Sequence, residues 1–397
     1  MSGTKGISSF IVGIMTTHDP ALFAGGLSAK LATRSRHVCG FLGAGTSKAC
    51  GLPDVAALQA RIKAQLQGDE LTAFNRITST RNLEQALSRL RRIQAVVEAG
   101  DVVDGLTGSQ AKDLDTAICR LIITELTTSQ VNLDPVRNLA AWVARANYVK
   151  PIELFTVNYD SLLEQALESQ GVPYFDGFVG SLRARFRTDM VEATSGDADV
   201  WLPSFYARLW KLHGSVNWTW DTEAPNDQVI RLGSAIPAGE LAAIFPSDAK
   251  YEESRRMPFV VLQDRMRRAL NEPETLFLVS GYSWADDHLN ELIFDAVGRR
   301  PRSEVVAFCY AEIPLPLADK ALKTPNLQVI TQKEAIIGGI RAPWSRPEST
   351  TTLPADVWND DQCHLGDFAE LATFLARSSS APEPYSQLTE AGGPSGS

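Results

Sequence analysis

The stretch Phe41-Leu42-Gly43-Ala44-Gly45-Thr46-Ser47-Lys48-Ala49-Cys50-Gly51-Leu52-Pro53-Asp54 sets two glycines and two hydroxyls directly after an apolar run. That run, His37 to Leu42, is short and bounded by Gly43, the pattern of a buried strand. Pro53-Asp54 then precedes Val55 to Leu66, which reads as a helix. A strand-to-helix turn of this kind aims backbone N–H groups at an anion, and its glycines admit a phosphate closely. The plain alternative is a tight turn with no ligand. The stretch lacks the Gly-Lys-Ser/Thr ending of a Walker A loop. Lys48 also stands where the Gly-x-Gly-x-x-Gly dinucleotide fingerprint has its third glycine. What the turn does therefore depends on what surrounds it.

Similar units recur along the chain. Ile152 to Val157 reads as a second buried strand, with Asn158-Tyr159-Asp160 as its turn and Ser161 to Glu168 as the following helix. Arg208 to Leu212 reads as a strand or edge ending at His213-Gly214-Ser215. Thr275 to Ser280 is another buried strand, ending at Gly281-Tyr282-Ser283-Trp284, with a helix from Asp286 or Asp287. Glu304 to Tyr310 and Leu327 to Ile330 complete the set. Strands alternating with helices predict an α/β fold, a Rossmann-like doubly wound parallel sheet. In such sheets ligands bind at the carboxyl ends of strands, near the switch in strand order.

The remaining segments frame this domain. Residues 1–36 read as an N-terminal arm and a helix from about residue 21. Residues 37–378 form the predicted nucleotide-binding domain, with a helical insertion near 70–148 and an irregular stretch at 171–210. Residues 379–397, rich in Ser, Pro, Gly and Glu, read as a disordered tail.

Composition narrows the function classes. With 38 Lys and Arg against 47 Asp and Glu, the net charge of −9 argues against non-specific binding to DNA or anionic membrane. The arginine-rich pieces at 89–92, 183–187 and 265–268 read as solvated helix faces. The five cysteines, Cys39, Cys50, Cys119, Cys309 and Cys363, are scattered without a Cys-x-x-Cys pair. That spacing predicts neither a zinc site nor a disulfide framework, and suits a reducing compartment. The apolar part of the N-terminus, Phe10 to Met15, is too short for a signal-peptide core or membrane span, so a cytoplasmic location without membrane attachment is expected.

Four strand ends carry candidate chemistry. Gly43, Ala44, Gly45, Thr46 and Ser47 form the first. Asn158 and Asp160 can hydrogen-bond ribose hydroxyls or orient a water, or Asp160 can cap a helix. His213 beside Gly214 is either structural or a general base, since imidazole titrates near neutrality. Gly281 permits close approach after a strand, and Ser283 can donate to a ribose or phosphate.

In this order, the four pieces resemble the sirtuin-like NAD-binding domain: Gly-Ala-Gly-Thr-Ser with Gly51-Leu52-Pro53-Asp54, then Thr156-Val157-Asn158-Tyr159-Asp160, Leu212-His213-Gly214-Ser215, and Gly281-Tyr282-Ser283. The resemblance spans roughly residues 37–331 and leaves the helical stretch unaligned. It implies NAD bound across the carboxyl ends of a parallel sheet. By that resemblance Gly43, Ala44, Gly45 and Ser47 cradle the pyrophosphate. Asp54 approaches the nicotinamide, Asn158 and Asp160 sit by its ribose, His213 is the base, and Gly281 and Ser283 line the adenosine side.

Departures from the family pattern point away from acyl-lysine chemistry. Protein deacetylases of this family carry a four-cysteine zinc module after the histidine, whereas no cysteine lies between Cys119 and Cys309 here. Their Pro-Asp-Phe-Arg reads Pro53-Asp54-Val55-Ala56, and their Gln-Asn-Ile-Asp reads Val157-Asn158-Tyr159-Asp160. What remains looks like the divergent bacterial branch that cleaves NAD in defence against phage. That resemblance implies an NAD glycohydrolase without a metal, self-assembled as a homo-oligomer or paired with a HerA-type DNA-translocating ATPase. The competing expectations are an NAD-dependent deacylase or ADP-ribosyltransferase, and a non-catalytic NAD or ADP-ribose sensor gating a partner.

Overall fold

In the computed structural model, which describes residues 16–97, 101–193, 207–221, 228–233, 242–244, 257–347 and 352–378, the opening stretch is a strand running straight into a helix. The strand Val38–Leu42 is buried along its whole length. It has neighbours on both sides, Leu276–Ser280 and Glu153–Thr156, both parallel to it.

The sheet continues from Leu276–Ser280 to Glu304–Phe308 and Leu327–Ile330, and from Glu153–Thr156 to Ala207–Lys211 and Tyr174–Phe175, all parallel. The chain leaves Val38–Leu42 in one direction and later returns on its other side. The switch in strand order therefore lies between Val38–Leu42 and Leu276–Ser280, as the α/β reading requires. Two strands beyond the expected set, Glu334–Ile337 and Ile340–Pro343, extend the sheet antiparallel at the Leu327–Ile330 edge.

Alternation along the strands divides the core in two. Val38, Leu42, Leu154, Leu276 and Leu278 face one layer, packed under the helices Pro20–Ala32, Asp134–Arg145, Leu162–Ser169 and Phe368–Ser378. Cys39, Phe41, Phe155, Phe277 and Val279 face the other, against Phe259–Asn271, Asp287–Arg299 and Leu315–Ala321. A period of two with both faces apolar is what a doubly covered parallel sheet needs. The expected tail 379–397 and the first part of the arm, 1–15, lie outside the described residues.

The helical lobe has its own core and different limits from those expected. Leu58, Ile62, Phe74, Leu87, Leu114 and Ile118 pack together from the helices Val55–Gln65, Gly68–Thr78, Leu83–Val96 and Gly108–Thr128. The helix Asp134–Arg145, read as part of the insertion, instead buries Val136, Leu139 and Trp142 in the main core. The stretch read as irregular contains the strands Phe178–Val179 and Arg183–Phe186, which join Gln228–Leu232, Gly214–Asp221 and Ala242–Ile244 in a second sheet.

Two arginine-rich pieces also differ from a solvated helix face. Arg183 and Arg185 alternate with buried Ala184 on a strand. Arg265 is 7% exposed and holds Glu153 through two hydrogen bonds, one of them Nε at 2.7 Å. His37 at 3.0 Å and the Trp210 indole N–H at 2.7 Å complete the shell around Glu153. Burial pushes this carboxyl up, but His37 and Arg265 outweigh it and hold it well below the usual range. The cluster stands where the strands begin, at the opposite end from the four turns.

Candidate functional site

Register brings those turns together. Leu42 is level with Thr156 on one side and Ser280 on the other, Thr156 is level with Lys211, and Ser280 with Phe308. Gly43, Val157, Leu212, Gly281 and Cys309 therefore leave the sheet side by side. Above them opens a cavity of about 810 Å³, within the roughly 300–1,000 Å³ typical of small-ligand sites. Of the residues expected at the site, Ala44, Gly45, Asp54, His213, Gly281 and Ser283 line it. Gly43, Thr46, Ser47, Asn158 and Asp160 lie beneath that lining, and a hydrogen-bond network joins all five.

The network has a fixed direction. Asp160 is 7% exposed, and its carboxylate accepts from Ser47 Oγ at 2.6 Å and from the Leu162 N–H at 3.1 Å. With its proton committed, Ser47 Oγ can only accept from Asn158, whose Nδ2 donates to it at 2.8 Å. The same Nδ2 also reaches the Gly43 carbonyl and Thr46 Oγ1, each at 3.0 Å. The Asp160 carboxylate thus sets which way the Asn158 amide is turned, directing Oδ1 away from these partners. Of Asp160 and Ser161, Ser161 stands at the N-cap of Leu162–Ser169 without a side-chain cap bond, while Asp160, one residue earlier, accepts from the Leu162 N–H.

The glycines also serve the packing of the two loops. A Cβ on Gly43 would stand 2.5 Å from the Gly281 carbonyl oxygen, and one on Gly45 2.6 Å from the Gly281 Cα. Gly281 has φ +65°, and a Cβ there would lie 2.5 Å from the Thr46 nitrogen. These three glycines let two loops pack backbone to backbone across the switch point. Three of the amides expected to face an anion are engaged: Gly43 N–H with Ser280 O at 3.0 Å, Gly45 with Gly281 O at 2.8 Å, and Thr46 with Gly43 O at 3.0 Å. The stretch read as a turn is the helix Ala44–Ala49, starting directly at the strand end, and its Ala44, Gly45, Lys48 and Ala49 border the cavity.

His213 is buried, and its Nε2 lies 3.7 Å from Asp286 Oδ2. Asp286, rather than Asp287, caps the helix Asp287–Arg299, its Oδ1 accepting from His288 N at 3.0 Å and Leu289 N at 3.3 Å. The loop between Gly281 and Asp286 is stapled: Tyr282 Oη donates to Asn290 Oδ1 at 3.1 Å, and Asn290 Nδ2 to Trp284 O at 2.9 Å. At the mouth, Lys48 Nζ meets Asp54 Oδ2 at 2.8 Å, while Asp54 Oδ1 caps the helix Val55–Gln65. The Lys48 contact holds the Asp54 carboxyl below its usual range.

Part of the lining was not foreseen. The lobe contributes Asn82, Glu84 and Gln85, the Glu304–Phe308 strand end Tyr310 and Glu312, and the C-terminal segment Gly366, Asp367 and Phe368. Gly366 is close enough to the Cys309 carbonyl that a Cβ would stand 2.3 Å from it, which seats that segment on the rim. The lining carries five carboxylates, Asp54, Glu84, Asp286, Glu312 and Asp367, against a single lysine, Lys48. Such a wall favours a cationic group such as a pyridinium. Among the described residues no group of three or more His, Cys, Asp or Glu is placed to hold a metal ion, and the five cysteines are free and buried.

Residues 152–330 match the family model described as the SIR2-like domain. The match covers the Asn158, His213 and Gly281 strand ends and stops short of the Gly43 turn and the lobe. It supports a sirtuin-like family and points to an NAD-utilising enzyme. No match to the chain is found among curated proteins.

Proposed function

We propose that the protein hydrolyses NAD at the nicotinamide–ribose bond. The observation that carries this reading is His213 in the wall of an acidic cavity at the strand ends, together with the buried, oriented Asn158–Ser47–Asp160 network. NAD binds across the strand ends, its pyrophosphate beside Ala44 and Gly45 and its adenosine toward Gly281 and Ser283. The acidic wall favours the pyridinium form and the oxocarbenium-like centre that develops at C1′ as the bond breaks.

The C1′–N bond breaks with its electron pair passing to the nicotinamide nitrogen, which neutralises the ring. A water oxygen bonds to C1′, and His213 accepts the proton released, directly or through the ribose hydroxyls. The products are nicotinamide, ADP-ribose and a proton. Asn158 orients the water or the ribose with the amide face that Asp160 fixes through Ser47. Asp54, paired with Lys48, borders the nicotinamide end.

The sequence resemblance extends this reading to NAD depletion in bacterial anti-phage defence, with control through a homo-oligomer or a HerA-type DNA-translocating ATPase. Purified protein incubated with NAD, with and without such a partner, tests the hydrolysis directly. Release of nicotinamide in step with ADP-ribose supports it. Consumption of NAD only when an acylated peptide is present would instead mean deacylation.

A further inference from the structure

Beside the dinucleotide cavity the helical lobe carries a second concavity. Arg81, Gln85, Ser88, Arg89 and Arg92 enclose about 290 Å³, near the small end of ligand sites. Gln85, Ser88, Arg89 and Arg92 recur at three- and four-residue spacing, so they share one face of the helix Leu83–Val96. Arg81 joins them from the preceding turn.

One of the cleft guanidinium groups, that of Arg89, is held in place. The carboxylate of Asp104 accepts from Arg89 Nε at 2.8 Å, and its carbonyl from Arg76 Nη1 at 2.9 Å. Asp104 sits at φ +52° and Gly105 at φ +73° in a tight turn closed by mutual Val103–Leu106 hydrogen bonds of 3.0 Å. Arg89 chiefly, with Arg81 and Arg76 at longer range, holds the Asp104 carboxyl below its usual range. Three arginines, Arg81, Arg89 and Arg92, thus line one small cleft in a protein of net charge −9, and Asp104 fixes one of them, Arg89. Planar, multidentate guanidinium donors gathered on one helix face are the chemistry that selects phosphate.

We infer that this cleft binds a small phosphate monoester, a sugar phosphate or nucleoside monophosphate, separately from the dinucleotide cavity. The volume excludes a duplex and admits one phosphate with its sugar. The cleft and the cavity share Gln85, and both are lined by one helix whose first turn carries Asn82 and Glu84 into the cavity. A ligand in the cleft therefore acts on an element of the NAD site. This regulatory consequence, unlike the binding itself, rests on the NAD reading above, and linkage makes it reciprocal.

Titration calorimetry with ribose 5-phosphate, with ribose as the unphosphorylated control, tests the site without any turnover. The expectation is saturable binding of the phosphate ester, none of ribose, and a loss of affinity of about tenfold or more in Arg81→Glu/Arg92→Glu. Arg81→Gln alone, at a half-buried position, should show a smaller loss in the same direction if the double variant melts early. No saturable binding to the wild type, or equal affinity in the folded variants, overturns the site. Saturable binding that NAD leaves unshifted overturns the regulatory link while leaving both the cleft and the hydrolase reading intact.

Discussion

The hydroxyl of Ser47 donates to the carboxylate of Asp160 at 2.6 Å, one of several bonds that join the first strand end to the second. It commits the Ser47 proton, so the hydroxyl must accept from Asn158, and the Asn158 amide is locked by a charge two side chains away. Ser47→Ala removes the relay and leaves a buried carboxylate oxygen short of a partner. The expected cost is about 1–3 kcal/mol of stability and at least about a tenfold fall in turnover, as an amide released from its orientation loses preorganisation. Urea unfolding and nicotinamide release measured on the same preparation check both. A variant with full activity would remove the network from the mechanism.

Asp286 combines a cap with a charge beside His213, and the two roles can be separated. Asparagine caps a helix about as well as aspartate, so Asp286→Asn should keep the Asp287–Arg299 helix and the melting temperature nearly unchanged. It removes the carboxylate 3.7 Å from His213 Nε2 and should lower turnover by about tenfold or more. Kinetics beside a melting curve distinguish this from a structural effect, which would move both.

The glycine packing makes opposite predictions at two positions. Gly281→Ala forces a Cβ to within 2.5 Å of the Thr46 nitrogen at φ +65°, so the two loops must part. Both stability, by about 1–3 kcal/mol, and NAD binding should suffer. Gly298, at an exposed position near the end of the helix Asp287–Arg299, has nothing within 4 Å of its added Cβ. Gly298→Ala should therefore stabilise by up to about 0.5–1 kcal/mol. Thermal melts of the two variants provide the comparison.

Glu153 predicts a pH dependence at the far end of the sheet. Its carboxyl is depressed in the folded chain relative to an ordinary value of 4.5. A depressed carboxyl stabilises the fold above its unfolded value, and that contribution is lost as pH falls through 4.5 toward the folded value. Unfolding free energies followed downward from neutrality should decline below pH 4.5 more steeply for wild type than for Glu153→Gln. Arg265→Ala, which leaves the buried Glu153 charge to His37, Trp210 and the more distant Arg208, should cost about 3 kcal/mol at neutral pH.

Local patterning made the sheet legible. Short apolar runs closed by Gly43, Asn158, His213 and Gly281 were enough to read a parallel sheet and to bring four strand ends to one edge. The roles of individual groups were less legible because they depend on what stands opposite. Gly43 and Gly45 read as room for a phosphate, and what local sequence does not show is that their missing side chains also admit the Gly281 backbone. Arg265 reads as part of a solvated helix face because its partner Glu153 is remote in sequence, and in Arg183-Ala184-Arg185-Phe186 it is the period of two that marks a strand. Glu84, Glu312 and Asp367 reach the cavity from the lobe, a late strand end and the C-terminal segment. Only tertiary packing brings them there, and no local motif marks them.

The central claim is that this cavity cleaves NAD and that His213 takes the proton. The most direct measurement is free nicotinamide and ADP-ribose over time from NAD and purified protein, for the wild type and His213→Ala side by side. The account predicts equal amounts of both products from the wild type and none above background from a folded His213→Ala. Release of nicotinamide at the same rate from both proteins would contradict it.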